Sequence, residues 1–493
     1  DRDNQWIFCP APLNFSMETA AGWLSIGLAE LAPITQFGMD AGSIWLDYSW
    51  HKIANKETSL FWLPALIFTF NNSGWDAIGD YTRYLQENQY IKTQNSNSAT
   101  NNWWAQPILS TWGEQTVQNI TNKNPNFNTR WVRDYIVKQM AVYPQTTFTI
   151  VLEHQWQEIL GDPKPSKQFS DLKELIKWCH QQGHKVVLLW KAWTAENKSL
   201  AQEMGITDGD FVDATHPDFA TYVKHCCAAM LSAADTALNA DGLKIADVFR
   251  VRNPLKANYK DSTRGIGLEE AYMYLKTFYD QAKFIKSDAL IMGFAPNPHF
   301  RNVQDMVCIN EDLDDRLRRE KRARIISKSL PEILIDGDAS DMSSQLALYH
   351  YVTSSIYSTP QIEYLTKFHD QMIDTVMRAS LKGIIDLYGT KGKGVPEFQE
   401  YGWWQWKHNG RIVAESIAKG TALLYHKSNS KAILFSTLNQ DIPFMLEKKR
   451  LIQVKDEKGN EVPFETLSLE IYKIKGIQQN KFYSLKFRHV SSD

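Results

Sequence analysis

The stretch Asp241-Gly242-Leu243-Lys244-Ile245-Ala246-Asp247 decides how the rest of the chain is read. Leu243 and Ile245 suit the buried side of a strand, and alternation sends Lys244 to the opposite face. An ammonium group is tolerated there only where a pocket receives it. The same alternation puts Ala246 on the face of Lys244, and Asp247 on the other face unless the strand has already ended. A site built on a lysine two residues from a carboxylate would read Lys-x-Asp, but this one reads Lys-Ile-Ala.

Outward from that strand, from Pro107 to about residue 370, short apolar runs alternate with helical segments at the spacing of β/α units. The predicted strands are Ile108 to Thr111, Thr147 to Leu152, Lys185 to Leu189, Gly242 to Ile245, Ala289 to Gly293, Met306 to Ile309 and Glu332 to Ile335, with an eighth near Ser354 to Tyr357. Between them, Trp131 to Gln139, Phe169 to Gln181, Pro217 to Ala233 and Glu269 to Phe284 carry helical periodicity. Eight such units predict an α/β fold, a closed (β/α)8 TIM barrel. The alternative is an open doubly wound sheet, and no glycine-rich phosphate loop supports a nucleotide site on one.

Residues 1–100 read as a β-rich N-terminal region. Trp45 to Tyr48 and Leu60 to Phe70 are strand material, Asn71 to Gly74 is a turn, and Trp75 to Leu85 suits a helix. The polar run from Gln94 to Asn102 marks the boundary, and the barrel is assigned to residues 101–409. From 410 to 493 the pattern alternates and is poor in helix. Thr421 to Tyr425, Lys431 to Phe435, Lys449 to Val454 and Phe482 to Phe487 read as strands of a C-terminal antiparallel β domain.

Composition narrows the function. The 54 basic and 56 acidic side chains nearly cancel, and no long basic run offers a nucleic-acid groove. The cluster from Arg316 to Arg324 is mixed with Glu320 and reads as a solvated helix face. No run of about 18 apolar residues suggests a membrane span. Five cysteines have neither metal spacing nor a disulfide framework, and Cys226-Cys227 reads as a helix pair with one thiol buried. His154 has no second ligand at a zinc-like spacing, so neither a metal nor another cofactor is expected. The chain starts at Asp1, which is compatible with a removed export signal, periplasmic or secreted, and equally with a cytoplasmic protein. The 17 tryptophans are many, and Trp103-Trp104, Trp112, Trp193 and Trp403 to Trp406 lie among polar residues, as in a carbohydrate groove.

In a barrel, function gathers at the carboxyl ends of the strands. Polar groups recur there: Trp112-Gly113-Glu114-Gln115, Glu153-His154-Gln155-Trp156, Trp190-Lys191-Ala192-Trp193, Asp241 to Arg250, Asn297-Pro298-His299, Asn310-Glu311-Asp312 and Asp336-Gly337-Asp338. Cleaving a glycosidic bond needs two carboxyl groups flanking the anomeric carbon, about 5–5.5 Å apart for retention and wider for inversion.

Asp-Gly-Leu-Lys-Ile-x at the fourth strand resembles the nucleophile strand of the α-galactosidase and α-glucosidase barrel clan, which includes glycoside hydrolase families 31 and 36. Leu189-Trp190-Lys191-Ala192-Trp193 resembles the clan's third-strand sugar-contacting segment, and Glu153-His154-Gln155-Trp156 stands where relatives carry Asp-Asp-Gly-Trp. Asp305 to Asp312 resembles the sixth-strand segment with the acid/base. The resemblance covers roughly residues 105 to 370. It implies a retaining, exo-acting α-glycosidase acting on an oligosaccharide or glycoside. The nucleophile would fall on Ala246, and the acid/base on Glu311 or Asp312. Candidate substrate contacts are Trp112, Glu153, Trp156, Trp190, Lys191, Trp193, Lys244, Arg250, Asp336 and Asp338.

The methyl group of Ala246 has no lone pair, so the chain as written cannot form a glycosyl-enzyme bond at that position. Three accounts follow: an aspartate replaced by alanine, a naturally noncatalytic carbohydrate-binding relative, or a strand end irregular enough for Asp247 to serve. Transglycosylation shares the same intermediate and is open at this stage.

Overall fold

Each short apolar run between Ile108 and Tyr357 forms a strand in the computed structural model of the chain. The structure describes residues 6–8, 14–39, 44–49, 65–91, 102–112, 115, 126–144, 146–248, 250–253, 256–309, 316–337, 355–357, 375–388, 395–399, 404–408, 411–418, 420–426, 430–446 and 449–489. The eight central strands are β1 (Ile108–Ser110), β2 (Thr149–Leu152), β3 (Lys185–Lys191), β4 (Gly242–Ala246), β5 (Leu290–Gly293), β6 (Met306–Cys308), β7 (Leu334–Asp336) and β8 (Ser355–Tyr357).

All are parallel, in the order β7-β6-β5-β4-β3-β2-β1-β8. The last strand pairs with the first, Ser355 opposite Ile108, so the sheet curls on itself as a barrel does rather than spreading from a central strand. The expected (β/α)8-type barrel with flanking β regions is the fold observed.

Alternation sorts the strand side chains into two layers. Ile108, Val151, Val187, Met292, Met306, Cys308 and Leu334 form an apolar cluster with no helix residue but the short turn of Trp103 and Trp104. Their neighbours Leu109, Ile150, Leu188, Leu243, Ile245, Ile291, Val307 and Ile335 pack outward among helix side chains. Helix Leu172–Gln181 shows why these segments coil: Leu172, Leu175, Ile176 and Cys179 are buried at helical spacing. Helix Thr129–Val142 starts where Asn128 accepts a hydrogen bond from the Trp131 amide at 2.9 Å. Helices Phe219–Leu231, Leu268–Ile285 and Arg316–Ser329 add to the outer layer. Between β5 and β6 stands only the 3-10 turn Pro298–Val303.

The amino-terminal end of the barrel is closed by Trp103 and Trp104, whose indole nitrogens bond to Asp288. Beside it, the buried Asp241 carboxylate meets His180 at 2.6 Å, Lys185 at 3.2 Å and the amide of Val186 at 2.9 Å. Burial pushes this carboxyl up, but His180 and Lys286 more than reverse that and hold it below its ordinary value.

Two local expectations change. Both Cys226 and Cys227 are fully buried, and burial pushes the Cys227 thiol up to about 12. The basic helix Arg316–Ser329 is not simply solvated. Ala323 and Ile326 are buried, and Arg324 lies over the rings of Trp75 and Phe398 at 5.9 and 4.7 Å. Helix Gly74–Glu87 docks on it through Thr82 and an Asp76–Lys328 pair at 2.7 Å.

Ahead of the barrel, Asn14–Thr19, Gly22–Leu28 and Leu66–Asn71 make an antiparallel sheet, and Ile34–Met39 with Ile44–Ser49 a separate ribbon. Trp6–Phe8 runs antiparallel to Arg250–Arg252, just past β4. The C-terminal sheet takes in Val395–Phe398 and Trp404–His408, ahead of residue 410, with five strands beyond it. Leu434, Leu451 and Leu485 of that sheet share a core with Ile442, Phe444 and Ile474 of a three-stranded one, as in a sandwich. No helix among the described residues is long and apolar enough to cross a membrane.

β4 and β5 come together closely at Gly242, where a Cβ would stand 2.2 Å from the Leu290 carbonyl oxygen. Gly242→Ala is expected to cost about 1–3 kcal/mol through overpacking, read as a lower urea midpoint. An unchanged midpoint would mean that the two strands separate there without penalty.

Candidate active site

Inward-facing positions of β4 end in Gly242, Lys244 and Ala246, the parity expected from the sequence. Lys244 is 2% exposed, and its ammonium donates to Glu153 Oε1 at 2.8 Å. Glu153 stands one residue beyond β2 and is equally buried. The same oxygen accepts from Ser110 Oγ at 3.0 Å, and the Glu153 amide donates to Thr111 Oγ1 at 3.0 Å. The Phe294 ring centroid lies 5.7 Å from Lys244 Nζ. β1, β2, β4 and β5 therefore converge on one buried ion pair.

Ala246 is opposite Lys191 in the β3–β4 register, and its methyl group packs against the apolar barrel interior. The strand ends there. Asp247 adopts φ 64°, which turns its carboxylate toward the mouth, 3.6 Å from Lys191 Nζ and 3.7 Å from Arg250 Nε. Gln155 after β2 and Trp193 after β3 also have left-handed backbones, with φ 75° and 68°. For a residue as bulky as tryptophan this geometry is costly and persists only where neighbours hold it.

Three tryptophans expected to touch sugar lie in the outer layer, and one of them bonds to a strained neighbour. Trp156, Trp190 and Trp193 are each about 1% exposed in the outer layer. Trp156 Nε1 donates to the Leu189 carbonyl at 2.8 Å, Trp190 Nε1 to Tyr274 Oη at 3.0 Å, and Trp193 Nε1 to the Asp247 carbonyl at 3.2 Å. Trp190 sits between β3 and the helices because it alternates with inward Leu189 and Lys191. Trp404 and Trp406 are likewise buried, in the C-terminal sheet. Trp112, half-buried after β1, keeps a position at the mouth.

Asp336 ends β7 on the inward face, fully buried, with its Oδ2 3.7 Å from Cys308 Sγ. Glu311, Asp312 and Asp338 lie outside the described residues. Among the described residues no group of three His, Cys, Asp or Glu side chains is arranged to hold a metal ion. Ser110, Thr111 and Phe294 are additions to the sequence-derived set. Their only advance signal was position, since each ends or follows a barrel strand. A cavity of about 180 Å³ opens between the β2 and β3 loops, lined by His154, Gln155, Glu158, Leu160, Leu189 and Glu196.

No family model matches the chain, and no curated protein matches it. Solved structures do match. A cycloalternan-forming enzyme from Listeria monocytogenes, in complex with a pentasaccharide substrate, superposes with TM-score 0.54 over 95% of this chain and 61% of that one, at 9% identity. A GH31 dextranase from Flavobacterium johnsoniae matches at 0.53 over 94% and 59%, at 10% identity. A cycloalternan-degrading enzyme from Trueperella pyogenes matches at 0.52 over 97% and 70%, at 10% identity. The likeness is one of fold. This chain shares the barrel fold of these three enzymes, and it spans about three-fifths of the length of the first two structures.

Removing one partner of a buried ion pair leaves the other charge stranded. Lys244→Met is expected to destabilise the barrel by about 3–5 kcal/mol, and adding Glu153→Gln should restore most of that loss. Equilibrium urea unfolding of the single and double variants measures both. A Lys244→Met variant as stable as the parent would mean that the pair is not buried in solution.

Proposed function

We propose that the chain carries the catalytic barrel of a retaining, exo-acting α-glycosidase for α-linked oligosaccharides or glycosides, with alanine at the nucleophile position. The observation that carries this reading is the shared inward face of Lys244 and Ala246, with the lysine locked to Glu153 across β3. A side chain at 246 reaches the floor of the mouth, and an aspartate there would face the same space as Lys191 and Lys244.

In such a form the aspartate attacks the anomeric carbon while Glu311 or Asp312 protonates the departing oxygen. The carbon–oxygen bond to the leaving group breaks as the bond to the carboxylate forms. Water, deprotonated by the same acid group now acting as base, then releases the sugar. A sugar hydroxyl in place of water gives transglycosylation. Glu153, Lys191, Asp336 and Asp338 are proposed to bind sugar hydroxyls, with Trp112 and Arg250 at the rim. The buried indoles act one layer further out, holding the strand ends. The cavity between the β2 and β3 loops offers His154, Gln155, Glu158 and Glu196 to a hydroxyl-rich ligand, and the fold likeness to an enzyme solved with a pentasaccharide supports the same substrate class.

A noncatalytic carbohydrate-binding role on this scaffold is the second reading. It is favoured by the packing of Ala246 against the apolar interior.

Ala246→Asp should confer hydrolysis that the parent lacks, only on α-linked members of a panel of aryl α- and β-glucosides, galactosides and N-acetylgalactosaminides. Equal activity of parent and variant would move the chemistry to Asp247. Silence of both, with sugar binding retained, would favour the binding role.

A further inference from the structure

Past the rim, the strand Arg250–Arg252 carries a second charged cluster that the glycosidase reading does not use. Arg252 is 2% exposed. Its guanidinium donates to Asp208 Oδ2 at 2.7 Å and to Glu270 Oε1 at 2.8 Å, and it stands 3.9 Å from Asp213 Oδ1. The Tyr259 ring lies 5.1 Å from it. Glu270 is fully buried in the first turn of helix Leu268–Ile285, where the Ala214 amide also donates to it at 3.3 Å. Asp213 is held by the Thr215 amide and hydroxyl and by the Lys260 amide.

One guanidinium thus faces three carboxylates, two of them nearly solvent-free, and cannot neutralise them all. Such a cluster takes up a proton rather than keep the excess charge in a dry interior. Arg252 is two residues from Arg250, which pairs with Asp247 at the mouth, and the same strand holds Trp6–Phe8.

We propose that Arg252, Glu270 and Asp213 are positioning residues, a proton-binding clamp that fixes the strand Arg250–Arg252 and with it the Asp247 side of the barrel mouth. The clamp tightens when Glu270 is protonated and loosens when the cluster carries its full negative charge. It stands on the geometry and not on whether the barrel cleaves sugars. Burial raises the Glu270 carboxyl to about 7, against the Arg252 charge and with help from Asp213. Between the ordinary carboxylate range and about 7, the folded cluster holds a proton that the opened one has released. Raising the pH across that window therefore favours opening, and above it the effect levels off.

Hydrogen–deuterium exchange on the full chain, corrected for the intrinsic pH dependence of exchange, tests this in the peptide spanning residues 247–256. Protection there is expected to fall by up to about tenfold per pH unit within the window, while helix Phe219–Leu231 stays unchanged. Glu270→Gln should abolish the pH dependence and keep the strand protected. Should that variant fail to fold, Asp213→Asn serves, and it is expected to move the upper edge of the window to lower pH. A parent profile flat across the window, a pH dependence that survives in Glu270→Gln, or an Asp213→Asn edge that does not move would each overturn the clamp.

Discussion

A lysine can sit in the middle of a barrel strand only if a carboxylate meets it there, and the 2.8 Å contact between Lys244 and Glu153 is that meeting. Much of the mouth follows from it. Glu153 leaves β2 at the point where Ser110 and Thr111 of the neighbouring strand end can also reach it. The pair spans β3, which lies between β2 and β4, so the three strands cannot slide independently without stranding a charge. A register slip of one residue would turn Lys244 into the apolar outer layer and Leu243 into the pocket.

Around this anchor, the site is shaped by backbone as much as by side chains. Gln155, Trp193 and Asp247 end three successive strands with left-handed residues, each an abrupt change of direction that no glycine eases. The cost is met from the outer layer. Trp193 packs against Tyr274, with ring centroids 4.8 Å apart, and its indole N–H donates a hydrogen bond to the Asp247 carbonyl, so one strained residue pins the next. Indoles that face away from the pocket therefore govern where the carboxylate and ammonium groups of the rim can stand.

The barrel was legible because its strands are short apolar runs in strict alternation with amphipathic segments. Periodicity reports that arrangement directly, and Leu243, Lys244, Ile245 and Ala246 faced the sides it assigned. Trp156, Trp190 and Trp193 face the outer layer for a physical reason. A polar neighbour in sequence, such as Lys191 beside Trp190, points the other way in a strand, so local polarity says nothing about the face an indole occupies. Long-range ionic partners were also hidden. Glu270 is plain in the sequence as the first turn of a helix, but its pairing with Arg252 depends on how the fourth unit of the barrel closes. The strands Gln440–Met445, Phe464–Thr466 and Ile471–Ile477 went unassigned because charged and apolar residues alternate there less cleanly than in their neighbours.

The short ribbon that sets Trp6 opposite Arg252 joins the start of the chain to a segment half its length away. During synthesis Trp6–Phe8 emerges long before its partner strand exists, and its backbone donors and acceptors must wait for β4 to form. Closing so long a loop is slow, and an unpaired edge is exposed to the wrong partners meanwhile. That side of the barrel mouth is thus stitched together only after half of the chain has been made, and a chaperone or a neighbouring nascent chain would meet it unfinished.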